Sequence, residues 1–356
     1  MSFRERRVLL MTPFYMLFEF FLLKYLFALI GGVSDISILA LTVVIGIMNF
    51  LPMLFEKNKS TFMGRLITEI SAVWMWASLM YLIEIIIIYA AGTVIAIPEY
   101  VIYIALLIVP AIGVYGYWNA HRIVVKDHVV NVDNLTSDIN LIHISDVHFG
   151  SVRYKKIIKQ LADTLKKLSD TCDIVIISGD LADGSCLVCE DDFMHLKDVG
   201  MPIIFTPGNH DFYPGIENVK KACRKAGIIV LDNQSFDFKD LNIYGLTYSF
   251  GDIPTPSDEE LKKEVKKDKC NVIVYHVPER WDDFSRMGFD IQLSGHTHGG
   301  QFYPVVNIGD VVFDFNRGLF NTSSGKYISV TTGVGTMDQP IRWGTNSEVV
   351  ILKLRK

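Results

Sequence analysis

Residues 174–183 read IVIISGDLAD, and the fold follows from how that stretch divides. Asp173–Ser178 reads as a strand, and its core Ile174–Ile177 is apolar and β-branched at every position, which suits a strand covered on both faces, as in a parallel sheet. Gly179-Asp180 then ends the run in a turn and leaves a carboxylate at the strand's carboxyl end. The same order recurs on either side: Ile139–Ser145 leads into Asp146-Val147-His148, Ile203–Thr206 into Gly208-Asn209-His210-Asp211, Val272–Tyr275 into His276, and Ile291–Leu293 into Gly295-His296-Thr297-His298-Gly299-Gly300. Amphipathic stretches at Tyr154–Leu168, Asp191–Asp198 and Ile216–Ala226 read as helices between strands. Further strands are expected at Ile228–Leu231, Phe236–Phe238, Ile243–Leu246, Tyr327–Thr331 and Val349–Leu354. The result is a layered α/β domain with two packed sheets, or one sheet and an edge layer, and helices outside.

Loops at the carboxyl edge of a parallel sheet converge, and there α/β folds place their ligands. A single Asp in such a turn is ordinarily a cap, and a single His after a strand an ordinary semi-buried side chain. Five such groups at successive strand ends are different, because burying that many carboxylates and imidazoles together is costly unless cations neutralise them. A dinuclear metal site accounts for all five. Carboxylate, carboxamide and imidazole donors without thiolate suit two divalent ions, Mn²⁺ first, with iron or zinc as alternatives. Cys186-Leu187-Val188-Cys189 is the lone CxxC and has no second pair, so it reads as a coincidence of spacing.

The whole-chain average, half hydrophobic with mean hydropathy +0.29 and net charge −5, conceals two populations. Residues 1–120 hold 14 charged side chains, seven of each sign, and none of the nine His or five Cys. That division excludes a disordered chain and a disulfide-framed secreted domain, and the odd cysteine count suits free thiols in a reducing compartment. No long Lys/Arg run is present, so no nucleic-acid partner is expected. The domains read as 1–120, four transmembrane spans; 121–138, a polar linker; and 139–356, the catalytic domain.

The spans are expected near 8–30, 36–55, 66–97 and 100–118, each close to or above the ~20 residues that cross a hydrocarbon core, and lipid makes them helices. The first is long, lacks a small-residue cleavage pattern and precedes three more, unlike a signal peptide. Arg4, Arg6 and Arg7 precede span one, Lys57, Lys59 and Arg65 separate spans two and three, and Arg122 and Lys126 follow span four. The positive-inside rule therefore predicts a multi-pass cell-membrane protein with its amino terminus and catalytic domain cytoplasmic, and Tyr115, Tyr117 and Trp118 in the inner aromatic belt. Lys24 and Glu84 come out at similar depth and are expected to pair.

The blocks DVH (146–148), GDLAD (179–183), GNHD (208–211), His276 and GHTHGGQ (295–301), in this order, resemble the calcineurin-like metallophosphoesterase superfamily over about residues 139–356. The GHTHGGQ form with amino-terminal spans resembles a bacterial branch of membrane-associated phosphoesterases. The resemblance implies a four-layer α/β/β/α sandwich preceded by an all-α four-helix transmembrane domain. It also implies Asp146, His148 and His298 on one metal, Asn209, His276 and His296 on the other, and Asp180 bridging them. His210 would be the catalytic histidine beside the substrate phosphate and Asp183 the carboxylate that orients it. Gly184 stands where the phosphoprotein-phosphatase subgroup has Arg, which argues against a protein substrate. Asp211 reads as an acceptor for backbone N–H groups, and Arg153 and Arg342 as substrate-binding contacts.

The expected function is a membrane-bound phosphoesterase that cleaves a phosphoester or pyrophosphate by metal-activated hydroxide. Its substrate would be amphiphilic, a lipid or a nucleotide-linked lipid such as the UDP-diacylglucosamine cleaved by related membrane-linked members, met at the lipid bilayer. The alternatives are a phosphodiesterase for a soluble substrate such as a cyclic nucleotide, a non-enzymatic metal-containing receptor or scaffold, and transport by the spans under the control of the domain. Residues 301–320, QFYPVVNIGDVVFDFNRGLF, read as a β-hairpin on the core, or else as a membrane-facing lid.

Overall fold

A computed structural model describes all residues except 1–2, 57–59, 252 and 323–325. It divides into two compact units: residues 1–118 with 338–341, and residues 119–337 with 342–356.

In the first unit, α1 (Phe3–Ala28), α2 (Asp35–Glu56), α3 (Phe62–Gly92), α4 (Glu99–Leu106) and α5 (Ile108–Ala120) supply four candidate spans, with α4 and α5 making the last of 22 residues. Their burial is the reverse of a water-soluble bundle. Leu10, Phe14, Ile36, Val94 and Val114 point outward, whereas Glu19, Thr42 and Ser78 are inside. Apolar side chains outside and polar ones inside fit a hydrocarbon solvent. The Glu19 carboxylate is held by Ser78 Oγ at 2.7 Å and Trp74 Nε1 at 3.1 Å, which ties α1 to α3. Lys24 does not pair with Glu84. Its ammonium lies 3.0 Å from Asp35, at the start of the next helix, because a short loop brings Asp35 back beside the end of α1, and Glu84 Oε2 is buried without a hydrogen-bond partner. Of the cations behind the expected orientation, Lys57, Lys59 and the side chains of Arg4, Arg6 and Arg7 lie outside the described residues.

The second unit contains β1 (Ile123–Asn131), β2 (Ile139–Ile144), α6 (Tyr154–Leu168), β3 (Ile174–Ile177), β4 (Ile203–Phe205), α7 (Ile216–Lys225), β5 (Ile229–Val230), β6 (Gln234–Phe238), β7 (Leu241–Leu246), α8 (Asp258–Lys263), β8 (Cys270–Tyr275), α9 (Trp281–Met287), β9 (Ile291–Ser294), α10 (Val305–Val312), β10 (Gly318–Thr322), β11 (Lys326–Val330) and β12 (Ser347–Arg355). One six-stranded sheet runs β1-β12-β2-β3-β4-β5 and the other β10-β11-β9-β8-β7-β6. In the first, β2 through β5 are parallel, with Leu141 opposite Ile174 and Val175 opposite Ile203; in the second, β7, β8, β9 and β11 are parallel.

Strand alternation sorts the apolar residues into three layers of core. Leu141, Ile174, Ile176 and Leu352 meet Ile243, Val272, Val274 and Leu293 between the sheets. Ile142, Ile144, Val175 and Ile177 face the other way, toward Ile157, Leu161 and Leu165 of α6 and Val219 of α7. Tyr244, Ile273 and Ile328 pack outward against Leu261 of α8 and Trp281 and Phe284 of α9. Three cores separate four layers, helix, sheet, sheet and helix, as the resemblance implies.

Three segments differ from expectation. The supposed linker contains β1, paired in register with β12 from Ile123–Ser347 to Asn131–Arg355. Asp191–Asp198 forms only a 3₁₀ turn at Met194–Leu196, since the Asp192 carboxylate accepts the Cys189 N–H at 2.7 Å and closes a local turn instead. Residues 301–320 are not a hairpin: α10 fills their middle and β10 only begins at Gly318.

Candidate active site

The parallel strands of both sheets deliver their carboxyl ends to one place. Asp146, His148 and His298 form one group of donors and Asp180, His276 and His296 another, with the ligand atoms of each group within 4.8 Å of one another. The two adjoin. Asp180 Oδ2 lies 3.0 Å from His276 Nε2 and 3.8 Å from His148 Nε2, while Asp146 Oδ1 lies 3.3 Å from His298 Nε2 and 3.9 Å from His276 Nε2. Asn209 is buried in the 208–211 loop, next to His210, whose N–H donates to Asp180 Oδ1 at 2.9 Å.

These side chains fit divalent cations. Asp146 Oδ1 and both amide atoms of Asn209 are buried with no hydrogen-bond partner, a costly state unless an ion completes them. His148 Nε2 and His298 Nε2 face each other at 3.1 Å, as lone pairs converging on a shared cation do. His276 Nδ1 donates to Ser178 O at 2.8 Å, which leaves Nε2 free to ligate.

The backbone is forced into this arrangement. Asp146, His148, Asp180, His296 and His298 all have φ between 50° and 70°, a left-handed conformation that L-residues adopt at a cost. Hydrogen bonds hold them there: Asp146 N–H to Gly179 O, His148 N–H to Asp180 O and Gly335 N–H to Asp146 O. The Asp211 carboxylate accepts the N–H groups of Asp180, Ala182 and Gly208, each at 2.9 Å, so it is the structural acceptor expected. Burial and the neighbouring Asp180 push its pKa up to about 7.

Burial opposes charge throughout, yet the paired groups hold theirs. Asp180 is lowered to about 2 because His276 faces it, and His276 rises to about 9 because Asp180 faces it, so without a cation His276 Nε2 carries a proton that a bound cation would displace. Burial takes His296 and His298 down to about 4, so both are neutral imidazoles, the ligating form.

His210 lies at the rim, its ring 4.9 Å from that of His148. Its Nδ1 is 3.3 Å from the backbone carbonyl of Asp183, whereas Asp183 Oδ1 accepts from Ser185 N–H. Asp183 thus meets His210 through its main-chain carbonyl, and its carboxylate charge also acts on the His210 ring. The two arginines are engaged by protein groups. Arg153 donates to Ala120 O and Gln160 Oε1. Arg342 is fully buried, with its guanidinium on Thr332 O, Gly335 O and Thr345 Oγ1 and 3.5 Å from His298 Nδ1. Sequence reasoning missed these supports because most of their partners are main-chain atoms, and it missed Ser145, whose Oγ donates to Asp146 Oδ2 at 2.6 Å. A serine directly before a ligand was the available signal.

Residues 139–300 match the family model for calcineurin-like phosphoesterases. An uncharacterised metallophosphoesterase of Campylobacter jejuni is 28% identical over 237 residues, 65% of this chain and 63% of that protein, so the chain spans about three-fifths of that relative's length. The protein YpbG of Bacillus subtilis is 31% identical over 61% of this chain and 81% of its own length. A transmembrane protein with metallophosphoesterase domain from Danio rerio is 25% identical over 71% of this chain and 62% of that one.

Proposed function

The chain belongs to the calcineurin-like phosphoesterase family, and on that premise we propose that it is a membrane-bound hydrolase that cleaves a phosphoester or pyrophosphate bond of an amphiphilic substrate, at the cytoplasmic face. The observation that carries the reading is the pair of adjoining donor groups with buried ligand atoms left unsatisfied by protein, on a chain whose described residues include four helices long and apolar enough to cross a bilayer. Asp146, His148 and His298 would hold one cation, Asn209, His276 and His296 the other, and Asp180, which faces both groups, would be shared.

Two divalent cations held there, Mn²⁺ first among the candidates, would supply the charge that acidifies a water and draws electrons from phosphoryl oxygens. The chain's own groups do the rest. His210 is kept at the rim by the Asp183 carbonyl, and burial beside His148 lowers its pKa, which makes its protonated form a stronger but scarcer acid; in that form it would give a proton to a departing oxygen, a contribution of typically 10²–10⁴-fold. Asp211 fixes the backbone of Asp180, and Ser145 the carboxylate of Asp146, before substrate arrives, so little rearrangement is needed during reaction.

The test is Mn²⁺-stimulated hydrolysis of bis-(p-nitrophenyl) phosphate by the full chain in detergent. Turnover should require added metal and vanish in Asp180→Asn. Full turnover in that variant, or none in the wild type with any of Mn²⁺, Fe²⁺ or Zn²⁺, would overturn the assignment.

A further inference from the structure

The helix α10 starts five residues after Gly300, the last residue of the site's histidine loop. One of its faces is used: Val306 and Gly309 are buried, and Asn316 closes on Gly309. The other is bare. Ile308, Val311 and Val312 are 55%, 86% and 65% exposed and lie three and four residues apart, on one side of the helix. The helix's single charge, Asp310, is matched by a two-pronged contact from Arg317, Nη1 at 2.8 Å and Nη2 at 3.0 Å, and by Asn316 at 2.7 Å. The apolar character continues to the metal site. Phe313, next after α10, and Phe250, 65% exposed, set their rings 6.3 Å and 6.0 Å from that of His296.

Such a face could be covered by a partner protein, a second copy or lipid. The chain itself favours lipid, because only His121 and Arg122 separate the last apolar helix, α5, from the first strand, β1. A tether that short keeps every copy of the domain at a bilayer surface at high effective concentration. A helix with one neutralised charge and an aliphatic ridge enters an interface without the desolvation cost that a bare carboxylate would bring. We propose that α10 dips into the bilayer interface, seating Ile308, Val311 and Val312 among acyl chains, so that the metal site takes phosphoesters whose apolar part stays in the lipid layer. This rests on the membrane-hydrolase reading above and names the surface that meets the substrate's own phase.

The experiment uses the full chain with Cys189→Ser and Val311→Cys, labelled with an NBD maleimide; the other four cysteines are buried. The protein is placed in nanodiscs of phosphatidylcholine and phosphatidylglycerol, with and without nitroxide-bearing lipid. NBD emission should be blue-shifted and quenched by the nitroxide lipid. In a second arm, Ile308→Gln/Val311→Gln should lose about tenfold in hydrolysis of a dialkylglyceryl p-nitrophenyl phosphodiester held in the disc, since two buried aliphatic contacts are lost, and keep its turnover of bis-(p-nitrophenyl) phosphate. Unquenched, solvent-like emission with both turnovers intact overturns the α10 proposal and leaves the hydrolase standing. Quenched emission with no turnover of either ester overturns the hydrolase and leaves the membrane seat. Cross-linking of two Val311→Cys chains through that position identifies a second copy as the occupant and overturns the lipid assignment.

Discussion

Gly335 gives the sharpest test of how the site is held. Its N–H donates to Asp146 O at 2.7 Å, and that of Val334 to Ser145 O at 3.0 Å, so this segment runs against the backbone of the ligands Asp146 and His148. A Cβ added at Gly335 would stand 2.2 Å from Val147 O and 2.9 Å from Asp146 O. Relief requires a displacement of about 1 Å, and both neighbours are main-chain oxygens rather than a yielding side-chain tip. The 146–148 segment cannot retreat freely, because its N–H groups are bound to Gly179 O and Asp180 O on the far side. The movement therefore passes to Asp146, His148 and Asp180 together. A 1 Å misplacement of catalytic groups costs on the order of 10²-fold in turnover, and overpacking costs about 1–3 kcal/mol, or roughly 2–10 °C in Tm for a domain of this size. Gly335→Ala should thus lower kcat on bis-(p-nitrophenyl) phosphate about a hundredfold in protein that is still folded at the assay temperature. Gly227→Ala is the control: φ is 76° and nothing lies within 4 Å of the added Cβ, so it should cost about 1–2 kcal/mol from left-handed strain and leave kcat alone. Gly335→Ala with wild-type kcat and metal content would show that the ligand backbone yields easily, and would refute the reasoning.

Three further outcomes are expected. Dialysis against EDTA should lower Tm, and Mn²⁺ at about a hundred times its Kd should restore roughly 2.7 kcal/mol; an unchanged melt would remove the metal site. Arg342→Lys should lose about 2–4 kcal/mol, because one ammonium cannot serve the buried carbonyls of Thr332 and Gly335 together, and it should lower kcat without raising KM. A raised KM with an unchanged melt would restore Arg342 as a substrate contact. Since Cys189 is the exposed cysteine among five, a membrane-impermeant maleimide should label it only after permeabilisation if the catalytic domain is cytoplasmic, and labelling of intact cells would reverse that orientation.

What the sequence revealed and what it hid divide along a physical line. The helix α6 was legible to the residue, Tyr154–Leu168, because its apolar positions recur at helical spacing and its other face is Lys-rich. Buried strands such as Ile174–Ile177 were legible because four consecutive β-branched residues have few other uses. The helix α10 was not: VVNIGDVV carries five β-branched residues and a glycine, so local preference points to a strand, and only the packing of Val306 and Gly309 decides otherwise. The strand β1 was hidden by charge, since Lys126 and Asp127 break its apolar run while their partners, Glu348 and Lys353, stand more than two hundred residues away on β12. For the site, identity was legible and support was not. His143 and His148 look alike in sequence, yet His143 is a core histidine satisfied by Ser329 and Ser178.

The left-handed backbone explains why the supports matter so much. Five ligand residues, Asp146, His148, Asp180, His296 and His298, occupy a conformation that costs an L-residue roughly 1–2 kcal/mol each, a sum comparable with the net stability of a whole domain. No sequence signal announces it, because Asp and His are not the glycines such positions favour. The conformation persists because the neighbouring strands over-determine it: Asp211 takes three N–H groups of the 180–182 and 208 turns, Asp146 Oδ2 takes the N–H of His296, and the 333–335 segment braces 145–147. Each ligand's backbone is therefore stabilised by another ligand's loop. Weakening one brace should release the strain in several turns at once, so losses from two such changes, Asp211→Ala and Gly335→Ala, should fall short of additive in metal affinity, whereas two independent braces would give a simple sum.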